Sequence, residues 1–252
     1  MNNYKGIILA AGRGSRMGDL TNNSHKCLTI LDGESLLDWQ LKAFTENSIY
    51  DIDVIVGYKS SLINGNFNKI RNNRWSETNM VASLFCKGKI QNDTIVSYSD
   101  IVFSKDHISR LMEADDEIVI TADKLWKNLW SIRFDDPLDD AESLLTENGF
   151  LKEIGKSVNS INKIEAQYMG LIKFTIDGWN RAFKIYSSLN DEIKDNIDMT
   201  SFLEILINHM KIKVIFVQGK WCEVDSSSDL NVYEEEIKHS TNWSHDWRDK
   251  LK

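Results

Sequence analysis

The stretch Ile7-Ile8-Leu9-Ala10-Ala11-Gly12-Arg13-Gly14-Ser15-Arg16-Met17-Gly18, with Lys26 close behind, restricts this chain more than any other. An apolar run ending in small residues predicts a buried strand that passes into a glycine-rich turn. Gly12 and Gly14 give that turn access to positive φ and let the backbone come close to a ligand. Successive N–H groups in such a turn form a nest that suits an anion. Arg13, Arg16 and Lys26 add positive charge where a triphosphate would lie. The stretch reads as a phosphate-binding loop.

Its spacing separates it from two common relatives. A dinucleotide fold uses G-x-G-x-x-G, but Met17 stands three residues after Gly14 and Gly18 falls one place late. A P-loop needs a lysine directly after its last glycine, and none follows Gly18. The pattern present is L-A-A-G-x-G-(S/T)-R-M, with Lys26 before an apolar residue. It resembles the nucleotidyltransferase family that makes nucleoside-diphosphate sugars and CDP-activated alcohols. In that family a proline usually precedes the lysine. Here the residue is His25, so a less rigid loop is expected.

At 252 residues the chain is long enough for one large α/β domain with a sizeable core and no disulfides. Cys27, Cys86 and Cys222 are scattered and odd in number, which fits free thiols in a reducing cytoplasm. No secretory signal is read at the start, and no apolar run is long enough to span a membrane. A formal charge of -8 opposes general nucleic-acid binding.

Helix and strand signals alternate through residues 1–122, as in a parallel α/β sheet. Ser35 caps a helix through Leu36, Leu37, Trp39, Leu41 and Phe44, so Trp39 is expected to pack in the core. Strands are expected at Ile52–Val56, Asp93–Tyr98 and Glu117–Ala122, and a helix at Lys105–Ala114. Residues 61–75 are polar and predict a helix with a short strand. Thr78 is placed as the cap of a helix over Met80–Leu84. Residues 123–174 are expected to add strands, Gly178–Leu189 and Met199–Met210 helices, and Lys213–Val217 a strand. Trp221–Asp225 is a final extended piece, followed by a helix capped near Ser228. The tail with Trp243 and Trp247 reads as an amphipathic helix.

The resemblance implies a Rossmann-like, mostly parallel sheet flanked by helices, with a small β-rich insertion on the acceptor side. One domain would span 1–252: a nucleotide-binding core (1–122), an acceptor-side subregion (123–174), and C-terminal helices with a metal-binding strand (175–252). Nucleotidyl transfer needs a phosphate cradle, cations on the leaving pyrophosphate, and carboxylates for Mg²⁺, rather than a protein nucleophile. The cradle is then Leu9, Ala10, Ala11, Gly12, Arg13, Gly14 and Ser15, with Arg16 and Lys26 as the catalytic cations. Asn79 and Ser83 match positions that lie over the base, although ordinary helix capping explains them as well. Asp100, at the end of a strand, and Asp225 match the family's two metal acids. Oxygen ligands of this kind suit Mg²⁺, and Glu223 is a weaker third. Asp139, Asp140 and Glu142 form either a second acidic site or a solvated turn. The five histidines are spread out and receive no role.

Trp126 and Trp130 stand four apart among Lys124, Lys127 and Arg133, a set that could hold an amine and an anionic group of the acceptor. A helical aromatic pair in the core is the equal alternative. The pieces Gln167–Leu171 and Trp221–Asp225 are similar to the phosphocholine-type cytidylyltransferase branch. That similarity implies CTP and a small phosphorylated metabolite as substrates. L-glutamine phosphate ranks first, because its carboxylate suits the basic residues, ahead of phosphocholine and 2-aminoethylphosphonate. A sugar-1-phosphate or molybdopterin-guanylyltransferase-like enzyme stays open, as do a non-catalytic nucleotide sensor and a homodimer.

Overall fold

The computed structural model describes residues 4–248. The chain enters on β1 (Lys5–Ala10), turns through a hairpin of β2 (Ile30–Leu31) and β3 (Glu34–Ser35), and continues as α1 (Leu36–Glu46), β4 (Ile52–Val56) and β5 (Asn68–Arg71). Then come α2 (Met80–Phe85), β6 (Thr94–Tyr98), β7 (Ile101–Phe103), α3 (Lys105–Glu113), β8 (Ile118–Asp123) and α4 (Trp126–Arg133). A hairpin of β9 (Glu142–Glu147) and β10 (Phe150–Ser157) leads to β11 (Gln167–Phe174), α5 (Ile176–Ser188), α6 (Asp191–Asn196) and α7 (Met199–Leu206). The last elements are β12 (Lys213–Val217), β13 (Trp221–Glu223) and α8 (Ser227–His239).

Nine strands form one sheet in the order β5-β4-β1-β6-β11-β8-β12-β10-β9. Strands β5, β4, β1 and β6 are mutually parallel, and β8 is parallel to β12. Between the two blocks β11 runs antiparallel to both neighbours. The carboxyl ends of the parallel strands and the start of β11 therefore share one edge. In an open α/β sheet that edge is where ligands bind.

Alternate residues of β1 serve two cores. Ile8 and Ala10 pack with α1, α3, α4 and α8 on one face, and Ile7 and Leu9 with α2, α5 and α7 on the other. Strands covered on both faces read as continuous apolar runs, which is why they were legible. Trp39 packs against the first core as expected, with its Nε1 donating to the Leu31 carbonyl at 2.9 Å.

Some local expectations change. Residues 61–75 carry turns and β5 but no helix, and Asn79 rather than Thr78 is the N-cap of α2. The region after β8 opens with a helix, α4, and its strands begin only at Glu142. Beyond α8 the described tail makes turns instead of a helix, and Trp247 is buried edge-on against Trp39 at 5.7 Å. All three cysteines are free; Cys27 and Cys222 are buried and Cys86 is exposed. No helix among the described residues is long and apolar enough to cross a membrane.

Two buried histidines give the fold a pH dependence. His107 on α3 is 3 % exposed with its Nδ1 unpartnered, and His25 is 1 % exposed. Burial pushes each imidazole down to about 4. The unfolded chain, with histidines near their usual ~6.5, binds more protons than the folded one as pH falls through this window. Stability is therefore present above ~6.5 and is lost towards 4. Each histidine should cost about 2 kcal/mol by pH 5. As pH is lowered from 7 to 5, the wild type should lose melting temperature relative to His107→Asn. Parallel profiles for the two proteins would contradict the assignment.

Candidate active site

Strand β1 delivers the glycine-rich loop to the ligand-binding edge. Gly14 takes φ 65°, and a Cβ there would stand 2.9 Å from Cβ and Cδ of Lys26. The loop and the lysine stem are thus packed together, and only glycine allows it. Gly12 does not adopt positive φ, contrary to expectation, and has open space where a Cβ would stand. Where proline was expected, His25 Nδ1 accepts the Cys27 N–H at 3.2 Å and caps the short turn that carries Lys26.

A cavity of ≈ 280 Å³ opens over this loop. Leu9, Ala11, Gly12, Gly14 and Ser15 line it, together with Arg16 and Lys26. Asn79 and Ser83 line its far side; Ser83 Oγ also accepts from Asn72 Nδ2 at 3.0 Å. Ala10 points into the core instead, and exposed Arg13 lies 5.8 Å from the Tyr58 ring.

Two acids that are distant in sequence meet beside Lys26. Asp100 stands two residues after the end of β6. β13 pairs antiparallel with β7, and the Val224 N–H donates to the Asp100 carbonyl at 2.9 Å, which sets Asp225 alongside. Lys26 Nζ donates to Asp100 Oδ2 at 2.7 Å and to Asp225 Oδ1 at 2.6 Å. Arg16 reaches Asp225 Oδ2 at 3.1 Å. Burial works against ionisation of Asp225, but the charge and hydrogen bond of Lys26 outweigh it and hold the carboxyl below its usual range. Burial alone would lower the Lys26 pKa; the two carboxylates instead raise it, so the amine stays protonated.

Carboxylate oxygens of Asp100, Glu223 and Asp225 lie within 4.8 Å of one another. Oδ1 of Asp100 is buried without a partner. An orphaned oxygen beside two further carboxylates is a donor set that suits a hard divalent cation. Glu223 differs from its neighbours, since burial and then the Asp225 charge push its carboxyl up to about 8.

A second cavity of ≈ 250 Å³ adjoins the first and shares Arg16, Met80 and Tyr98 with it. Glu223 and Asp225 line it, as do Asp140, Glu142, Asp198 and Thr200. Burial raises the Asp140 carboxyl; burial and then the Asp198 charge raise that of Glu142, so these acids face a common space. Trp130 also lines it; the residue is 3 % exposed and its indole N–H has no partner.

The remaining acceptor expectations scatter. Trp126 and Trp130 are edge-to-face core neighbours at 6.1 Å on α4, the helical alternative. Lys124 and Lys127 are exposed and line neither cavity; Lys124 Nζ sits 4.2 Å over the Phe216 ring. Arg133 has no side-chain exposure: its Nε meets Asp229 Oδ1 at 3.1 Å and its Nη1 Glu223 Oε2 at 3.2 Å. It is an internal counter-ion to the acidic strand end. Sequence reasoning also missed Asp198, Trp75 and Tyr98. The first two sit in segments with no periodic signal, and Tyr98 reads only as strand.

Residues 6–152 match the model of the MobA-like NTP transferase domain. The chain belongs to this family. It is also 37 % identical over 246 residues to a CTP:phosphoglutamine cytidylyltransferase of Campylobacter jejuni, covering 90 % of this chain and 97 % of that one. A choline-phosphate cytidylyltransferase of Streptococcus pneumoniae is 30 % identical over 105 residues, 39 % of this chain and 46 % of that one. Among solved structures, the inositol-1-phosphate CTP transferase of T. maritima superposes with a TM-score of 0.70 at 19 % identity, over 94 % of this chain and 96 % of that one. These agree with the α/β fold and with the family resemblance of the loop. The chain is accordingly an NTP transferase.

Proposed function

We propose that this chain transfers CMP from CTP to a small phosphorylated acceptor bearing an amine, with release of pyrophosphate. The observation that carries the reading is the pair of adjoining cavities that share Arg16, with Asp100 lining the first and Asp225 the second. One has a phosphate loop and the other an acid-lined wall. The 37 % identical relative supports CTP as donor and L-glutamine phosphate as first-ranked acceptor, with phosphocholine and 2-aminoethylphosphonate next. The acids Asp140, Glu142 and Asp198 suit an ammonium group in any of the three.

In this reading the loop amides, Arg16 and Lys26 hold the β- and γ-phosphates and take up charge as pyrophosphate leaves. An acceptor phosphate oxygen attacks the α-phosphorus in line, so positioning and neutralisation do the work of a nucleophile. Asn79 and Ser83 border the space for the base. Asp100 and Asp225, with Glu223 as third, would hold Mg²⁺, which supplies charge neutralisation at the α-phosphate when bound. The Trp130 N–H is free to donate to an acceptor oxygen. Among the described residues Arg16 is the only basic side chain lining the second cavity, so the first rank of L-glutamine phosphate rests on the 37 % identical relative and not on a carboxylate site.

Replacing Glu142 by Gln or Asp198 by Asn should raise KM for L-glutamine phosphate about 10-fold, leaving KM for CTP unchanged, because each removes one charge from an ammonium site. Steady-state pyrophosphate release measures both. An unchanged acceptor KM in both variants would remove the acids from acceptor recognition.

A further inference from the structure

The acidic cluster holds two buried cations in different ways. Arg133 cannot leave: its side chain is fully shielded, it is bonded to Glu223 and Asp229, and its guanidinium lies 5.1 and 5.0 Å from the Trp130 and Phe134 rings. Asp229 in turn accepts the Asp225 and Ser226 N–H groups at 2.8 and 2.9 Å, which fixes the strand end that carries Asp225. Lys26 makes its ion pairs only through its tip. Its Nζ sits between Asp100 and Asp225, while its stem lies against Gly14 of the phosphate loop.

The Lys26 ammonium holds Asp100 Oδ2 at 2.7 Å and Asp225 Oδ1 at 2.6 Å, so one oxygen of each acid is taken while Asp100 Oδ1 is left unpartnered. A divalent ion drawing on both acids, ~2.0–2.1 Å from its oxygens, would be repelled by that ammonium. We infer that Lys26 is an exchangeable counter-ion, holding the two metal acids until a polyphosphate on the loop draws its Nζ away. Arg133 keeps the carboxylates in place during the exchange. The lysine thereby makes tight metal binding conditional on nucleotide, and protects the empty-handed enzyme from the repulsion of two adjacent carboxylates. This rests on the reading of Asp100 and Asp225 as the metal acids.

The test is equilibrium dialysis with Mn²⁺ alone, without nucleotide, on the full chain. Lys26→Met should bind Mn²⁺ at least about 10-fold more tightly than the wild type, the size of an ordinary coupling between two ligands. Arg16→Met removes an exposed charge 3.1 Å from the same Asp225 and should have a much smaller effect. If Lys26→Met does not fold, Lys26→Gln keeps a polar side chain of similar length, and Mn²⁺ should raise its melting temperature more than that of the wild type. Equal Mn²⁺ affinity in wild type and Lys26 variants would overturn the exchange, as would an equal gain in Arg16→Met, which would reduce it to net charge. Asp100→Asn, added to the Lys26→Met chain in which the site is open, separates the two claims. If it leaves Mn²⁺ binding intact, the metal reading itself fails and the exchange with it; if it abolishes binding, the metal reading stands and the Lys26 comparison decides.

Discussion

Asp225→Asn is expected to lower kcat at saturating CTP by at least about 10²-fold, with the fold retained. The substitution preserves shape but removes the charge on which Lys26, Arg16 and Arg133 converge, at 2.6, 3.1 and 3.6 Å. It also weakens the donor set shared with Asp100 and Glu223. The backbone of residue 225 is held independently by Asp229, so the strand end should keep its place. The loss should appear in kcat more than in KM for CTP, because in the proposed reading the loop amides and Lys26 would still hold the triphosphate. Steady-state kinetics and a melting curve check this together. A variant with near-normal kcat would show that Asp225 is only a structural partner of Lys26.

The largest stability loss is expected at Asp123, away from the chemistry. This carboxylate at the end of β8 has no exposure and accepts from four groups: Gly219 N at 2.7 Å, Leu125 N at 2.9 Å, Trp221 Nε1 at 3.1 Å and His245 Nε2 at 2.9 Å. Burial opposes its charge, but these donors outweigh burial and hold its carboxyl below the usual range. Asp123→Ala strands all four, and breaking a buried pair of this kind costs about 3–5 kcal/mol. For a chain of this size that is on the order of 10 °C in melting temperature. The tail, which His245 ties to β8, should become protease-sensitive in the same variant. A shift of only a degree or two would mean that water replaces the carboxylate at no cost.

How much of this was legible follows from how far apart the partners lie. The phosphate loop is contiguous, so glycine spacing and charge announced it directly. Asp100 and Asp225 stand 74 and 199 residues from Lys26, and only the family resemblance joined them before the pairing of β7 with β13 did so in space. Composition misled at α4. The basic residues on and just before it suggested an anion site, yet Lys124 and Lys127 face solvent and Arg133 turns inward to neutralise acids that sequence could not place beside it. His245 looked solitary for the same reason, since its partner is 122 residues away. The acid-lined wall of the second cavity draws on β9, α7 and the turn before β9, segments with no local signal that they converge.

The most direct test of the central claim is pyrophosphate release with Mg²⁺, crossing CTP, UTP, GTP and dTTP against L-glutamine phosphate, phosphocholine, 2-aminoethylphosphonate and glucose 1-phosphate. Turnover with CTP and an amine-bearing acceptor, L-glutamine phosphate fastest, is the expected result. Turnover confined to UTP or dTTP with glucose 1-phosphate, or to GTP, would contradict it.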